Sequence, residues 1–264
     1  SKPFFRAEVL ARTRNHLKIS HAFQTLISEY AGKMKQLQSA QQSILVKPEQ
    51  IPQARFAVSY IPVQEAGGDF YEVLSVSEDI FVYFTADICG HNIGASYITS
   101  ALKALLAEYV KPMFTPEETL KYLNGILKQI LPEDCYLTAS YTELNRNTNQ
   151  LSIINAAHPA PLLISSDGKA EFLESTGDIL GSFDNVSFTT LKRTVKPGEI
   201  LILYTDGVIE QGTHKNRSKG RKKLKEACSD IESATPEEAV KTLSSNVLNH
   251  ARLEDDVIIL GVQI

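Results

Sequence analysis

The sequence predicts an α+β layered fold with helices flanking stacked sheets. Three observations carry this. Strand-like runs come in blocks, helices come in pairs between the blocks, and neighbouring strands are joined by short turn signals that favour antiparallel hairpins over crossover units.

Taken in order, residues 4 to 46 hold no proline and a single glycine, Gly32. Phe23, Ile27, Tyr30, Met34, Leu37, Gln41 and Ile44 step by four and three, which predicts one long helix with a heptad-like seam. A parallel homodimer through this helix and a helix packed on its own domain both fit the seam. Lys47-Pro48-Glu49-Gln50-Ile51-Pro52 ends it, because proline cannot continue a helix and restricts the residue before it. The expected division is a helical linker over 1–46, dimerising or regulatory, and a folded domain over 47–264.

Within that domain, strands are expected over 55–60, 80–86, 137–144, 150–156, 161–164, 187–194, 199–204 and 256–262. Turn signals such as Asn145-Arg146-Asn147-Thr148-Asn149 and Lys196-Pro197-Gly198 separate neighbours. Helices are expected over 94–110 and 116–130, and again over 220–230 and 236–250. Thr115-Pro116-Glu117-Glu118 and Thr235-Pro236-Glu237-Glu238 provide matching capping boxes with proline at the first helical position.

Composition narrows the class. A chain of 264 residues, 43% hydrophobic, can bury a substantial core. With a formal charge of -4 and a pI near 5.9, no global attraction to nucleic acid or anionic lipid is expected. Cys89, Cys135 and Cys228 are odd in number and scattered, which speaks against a disulfide framework or a zinc knuckle and fits a reducing cytoplasm. No apolar run approaches a membrane span, and the N-terminal segment lacks a signal-peptide core, so no membrane contact is expected.

Four acidic segments carry the chemistry. Asp69 follows Gly67-Gly68, Asp87 ends an apolar run and enters a glycine turn, Asp206 does the same before Gly207, and Asp255-Asp256 precede Val257-Ile258-Ile259-Leu260. Each alone reads as a turn or a cap. Together they place carboxylates at strand ends that can meet at one rim, where like charges need a cation. Oxygen ligands without cysteine or histidine suit hard ions such as Mg²⁺ or Mn²⁺, and two such ions sharing a carboxylate would activate a water against a phosphoryl group.

Six motifs in order, EAGGDFYEV, FTADICGHNIGAS, INAAHPAPLLI, GDILGSF, LYTDGVIE and EDDVIIL, cover about Ala54 to Val262. This set resembles the metal-dependent Ser/Thr phosphatases (PPM, type 2C), in the bacterial branch typified by SpoIIE and RsbU. The resemblance implies an αββα sandwich, two Mn²⁺ or Mg²⁺ ions, and hydrolysis of phosphoserine or phosphothreonine without a phosphoenzyme. It makes Asp69, Asp87, Asp206 and Asp255 the catalytic carboxylates. Asp87 would bridge both ions with help from the Ile88 carbonyl, Asp69 would serve one ion, and Asp206 and Asp255 the other, with Asp256 able to exchange with Asp255. It further implies a phosphorylated STAS-type anti-sigma-factor antagonist as substrate in a partner-switching pathway. Glu72, His91-Asn92 and Ile258 depart from the family pattern, and they support an alternative, a catalytically weak or inactive phosphatase-fold binding module.

Two histidines and a basic run complete the set. His91 and His158 read more readily as turn residues than as acids. Residues 215 to 225 hold seven basic residues in eleven, and Lys215, Arg217, Lys219 and Arg221 are candidates for docking an acidic, phosphorylated partner, against the plainer reading of a solvated loop entering a helix. No aromatic residues interleave the charges, which argues against nucleic acid.

Overall fold

The computed structural model describes residues 6–63, 67–89, 93–210, 216–231, 235–248 and 253–264. Two compact units divide the chain, Ser1–Ser43 and Ile44–Ile264. In the first, helix α1 (Arg6–Ile44) runs unbroken for 39 residues, roughly 58 Å at the usual rise. The seam residues Phe23, Ile27 and Tyr30 are exposed on it.

The second unit alternates strands and helix pairs in the expected order. It runs through β1 (Phe56–Ile61), β2 (Asp69–Ser75) and β3 (Ile80–Ile88), then α2 (Ile93–Tyr109) and α3 (Pro116–Ile130). Six strands follow: β4 (Leu137–Asn145), β5 (Gln150–Ala156), β6 (Leu162–Ile164), β7 (Ala170–Phe172), β8 (Leu191–Thr194) and β9 (Ile200–Tyr204). Helices α4 (Arg217–Ala227) and α5 (Pro236–Leu248) precede the last strand, β10 (Val257–Gln263). Among the described residues these strands form two five-stranded antiparallel sheets, ordered β2-β3-β4-β5-β8 and β1-β10-β9-β6-β7.

The layering follows from side-chain alternation. In β9 and β10, Leu201, Leu203, Ile258, Leu260 and Val262 join the core between the sheets, while Ile200, Ile202, Tyr204, Val257 and Ile259 pack with Leu224, Val240 and Leu243 of α4 and α5. The first sheet uses both faces too, and Phe84 meets Tyr141 edge-on in the cluster that holds Leu102, Leu106, Leu120, Leu123 and Leu127 of α2 and α3. The order is helices, sheet, sheet, helices, the αββα arrangement that the resemblance implies.

Local chemistry sets the element ends. Thr115 and Glu118 close the capping box of α3, and Thr235 and Glu238 cap α5 in the same way. Two boundaries differ from expectation, and two strands, β2 and β7, were not among those expected. Helix α4 begins at Arg217, not at Gly220, because the Asn216 side chain accepts the Lys219 amide and caps the helix one turn earlier. The strand expected over 187–194 is regular only from Leu191, since the stretch before it makes an isolated bridge, Gly177↔Phe188. Strand β7, three residues at a sheet edge, gave no alternating signal to read. Residues 249 and 250, the expected end of α5, lie outside the described residues.

Leu260 is fully buried between the sheets. Leu260→Ala is expected to cost about 2–5 kcal/mol of unfolding free energy, read as a lower urea midpoint with an unchanged slope. An unchanged midpoint would mean that this layer is not the core.

Candidate metal centre

Strand register builds the site. Asp69 of β2 stands opposite Asp87 of β3, and Asp87 stands opposite Thr138 of β4, so one row across the first sheet carries all three on one face. In the second sheet the Thr205 amide donates to the Ile258 carbonyl (3.2 Å) and the Ile258 amide donates to the Thr205 hydroxyl (2.9 Å). That clamp continues the β9–β10 register past Tyr204, so that Asp206 falls opposite Val257 and Asp256 opposite Gly207. The same Thr205 hydroxyl hydrogen-bonds the Asp69 carboxylate and so ties the two sheets together at the rim.

Two glycines make the approach possible. A Cβ on Gly207 would stand 2.0 Å from the Asp256 carbonyl oxygen, and one on Gly67 would stand 1.9 Å from its Oδ2. Asp256 is buried, with the Val63 amide donating to its Oδ1 at 2.8 Å. Asp255 accepts the Asp256 amide at 3.0 Å. Ile88 closes β3, and its amide donates to the Gly68 carbonyl at 3.2 Å, holding the two glycines against the strand that carries Asp87.

The electrostatics are those of crowded like charges. Burial, then Asp87, Asp256 and Asp206, push the Asp69 carboxyl well above the usual range, with only the Thr205 hydroxyl opposing. Its Oδ2 is buried without a hydrogen-bond partner. Burial, then Asp206, Asp255, Asp256 and Glu210, push Asp87 up to about 7. All five aspartates singled out in the sequence thus share one field. Their side chains still stand apart: among the described residues no three acidic, cysteine or histidine groups are gathered closely enough to hold one ion. The unpartnered Asp69 oxygen, the glycine clearances and the all-oxygen donor set fit a hard cation.

The basic run divides. Lys215 lies outside the described residues, as does His91. Arg217 reaches into the site, donating to Glu210 and, at 3.4 Å, to Asp206. Arg221 pairs with Glu174 and lies 4.1 Å over the Phe172 ring, and Lys219 is exposed on α4. Two of the basic side chains are therefore already held by acidic groups of this chain.

Sequence reasoning left out Thr205, Glu210 and Thr138, although the first two lie inside the motif LYTDGVIE. It read His158 as a turn residue, without its partners. Ala157, at φ 54, turns the chain so that His158 lies buried, with Thr138 Oγ1 2.8 Å from its Nδ1 and the Asn155 side chain accepting its amide at 2.7 Å. Burial lowers its pKa to about 3, so it is neutral and structural at physiological pH. Glu72, buried on the opposite face from Asp69 and Asp87, is paired with Lys103 of α2. Burial raises its pKa, and Lys103 offsets part of that rise.

This fold and rim belong to a defined class. The chain belongs to the Stage II sporulation protein E (SpoIIE) family, whose model matches residues 77–264. It is 26% identical over 174 residues to phosphoserine phosphatase RsbP of Bacillus subtilis, covering 64% of this chain and 43% of that protein. It is 25% identical over 199 residues to phosphoserine phosphatase RsbU of the same organism, covering 74% and 59%. Among solved structures, the RsbU and RsbW domains of Rv1364c from Mycobacterium tuberculosis align with a TM-score of 0.69 at 26% identity, over 79% of this chain and 59% of that one. The chain therefore spans less than two thirds of the length of these relatives.

Asp87 binds its proton more tightly folded than unfolded, so in chelator its stabilising contribution is complete below about pH 4 and is lost as pH rises through about 7. Asp87→Asn should flatten that loss and raise the melting temperature at pH 8 by several degrees. A variant that melts lower than the parent in chelator would contradict the repulsion.

Proposed function

We propose that the domain is a metal-dependent phosphoserine/phosphothreonine protein phosphatase. The observation that carries this reading is Asp69, a buried carboxylate with one oxygen unpartnered amid the charges of Asp87, Asp206 and Asp256. Asp87, Asp69, the Ile88 carbonyl, Asp206 and Asp255 or Asp256 would hold two Mn²⁺ or Mg²⁺ ions. When bound, the ions supply a water acidic enough to attack phosphorus and offset charge on the phosphoryl oxygens. The chain's own part is orientation. Thr205 fixes Asp69 through its hydroxyl, the β2–β3 register fixes Asp69 against Asp87, and Gly67 and Gly207 leave room for Asp256. Arg217 must leave Asp206 or share it when that carboxylate takes an ion.

The substrate fits a phosphorylated STAS-type anti-sigma-factor antagonist in a partner-switching pathway, by kinship with phosphatases named RsbP and RsbU and with a chain that joins RsbU and RsbW domains. Lys215, Arg217, Lys219 and Arg221 would face such a partner. A cytoplasmic setting is consistent with this, and no helix among the described residues is long and apolar enough to cross a membrane. The grip of Arg217 on Asp206 and Glu210 favours a second reading, a weakly active or inactive binding module.

One assay separates the two. With Mn²⁺ the protein should hydrolyse a phosphoserine peptide, chelator should abolish turnover, and Asp87→Asn and Asp206→Asn should each lose more than the about 10–100-fold typical of an outer-shell partner. Turnover equal to that of Asp87→Asn, with or without Mn²⁺, would leave only the binding module. The linker is tested separately: deleting residues 1–46 should change the rate, the metal affinity or the mass in solution by light scattering. If all three are unchanged, the helix has no regulatory or dimerising role.

A further inference from the structure

Two of the three cysteines, far apart in sequence, meet at the foot of the acidic rim. Ile88 pairs with Leu137 at the end of the β3–β4 ladder, and the ladder continues one step as the Cys89 amide donates to the Tyr136 carbonyl at 3.0 Å. This step brings Cys89 and Cys135 side by side. The Cys135 thiol donates to the Cys89 carbonyl at 3.2 Å and also hydrogen-bonds the Cys89 side chain. The Tyr136 amide donates to the Cys89 sulfur at 3.1 Å. Both thiols are free and half-buried, so a small oxidant can reach them. Cys228, by contrast, is buried under α4 and donates to the Leu224 carbonyl at 3.2 Å.

We propose that Cys89 and Cys135 form a modification site, a thiol pair that hydrogen peroxide closes into a reversible intramolecular disulfide. The hydrogen bonds give the two sulfurs different parts. Both thiols donate to a carbonyl, Cys89 to that of Asp134 at 3.7 Å, but only Cys89 also has an amide N–H aimed at its sulfur, which makes Cys89 the attacking and Cys135 the resolving partner.

In the first step the Cys89 thiolate attacks one peroxide oxygen, the O–O bond breaks, and the departing hydroxide takes a proton to become water. In the second, the Cys135 sulfur attacks the Cys89 sulfenic sulfur, the S–O bond breaks, and the hydroxyl leaves as water with the Cys135 proton. Two thiols are oxidised and one peroxide is reduced. The new bond would tie the end of β3, immediately after Ile88, to the residues leading into β4. In a reducing compartment such a bond is transient and suits redox sensing better than structure.

The inference stands without the phosphatase reading, because its readout is covalent. The protein, treated with a small molar excess of hydrogen peroxide, should lose the mass of two hydrogens, and under denaturing conditions an alkylating agent should then add one group instead of three. A non-reducing peptide map should link 89 to 135, and dithiothreitol should restore the parent mass. Cys135→Ser should instead stop at a sulfenic acid on Cys89 that dimedone captures, and Cys228→Ser should behave as the parent. The proposal is overturned if the thiols go to sulfinic acid without cross-linking, if the bond forms between chains, or if Cys228 supplies a partner.

Discussion

Everything at the rim depends on a pairing that electrostatics alone would forbid. The β2–β3 register places Asp69 opposite Asp87, and like charges directly opposite each other in a sheet are destabilising. The register is held by apolar residues on both faces, since Phe70 and Phe84 on one and Val73 and Phe81 on the other are buried, and a slip of one residue would exchange the two packed layers. The hydrophobic layers therefore keep the carboxylates where repulsion would part them. This is the usual relation between a rigid core and a strained functional site.

The second sheet completes the rim by a different device. Thr205 uses one hydroxyl twice, accepting from the Ile258 amide within its own sheet and reaching Asp69 in the other. A single short side chain thereby touches both sheets at the point where the acidic groups gather. The buried Glu72–Lys103 pair plays a related part on the far face of the first sheet, joining β2 to α2. Glu72 stands three residues after Asp69, so strand alternation turns it from the rim toward Lys103.

Much of this was legible in the sequence, because the signals were strong and local. Alternating or continuous apolar runs gave most of the long strands, and the two Thr-Pro-Glu-Glu boxes gave the starts of α3 and α5. Carboxylates at strand ends beside glycine gave the acidic rim, and the structure brings Asp69, Asp87, Asp206, Asp255 and Asp256 into one field. What escaped was of two kinds. Strand β7 and the start of α4 are short or are set by one capping side chain, below the reach of periodicity. Thr205, His158 and the meeting of Cys89 with Cys135 depend on contacts between distant segments, which spacing cannot reveal. The cysteines read as scattered because the strand pairing that joins them skips more than forty residues.

The two sheets differ in how far apart their partners lie along the chain. Strands β2 to β5 pair with successive neighbours, whereas β1 pairs with β10, so Phe56 must find Val262 near the opposite end of the chain. Local meanders form early and long-range pairings late. Asp69 and Asp87 are thus joined by one local hairpin, whereas Asp256 reaches the rim only through the pairing of β10 with β9 and β1. Without β10 the Asp69–Asp87 pairing would keep its own strands, while Gly207 would lose the Asp256 backbone that packs against it.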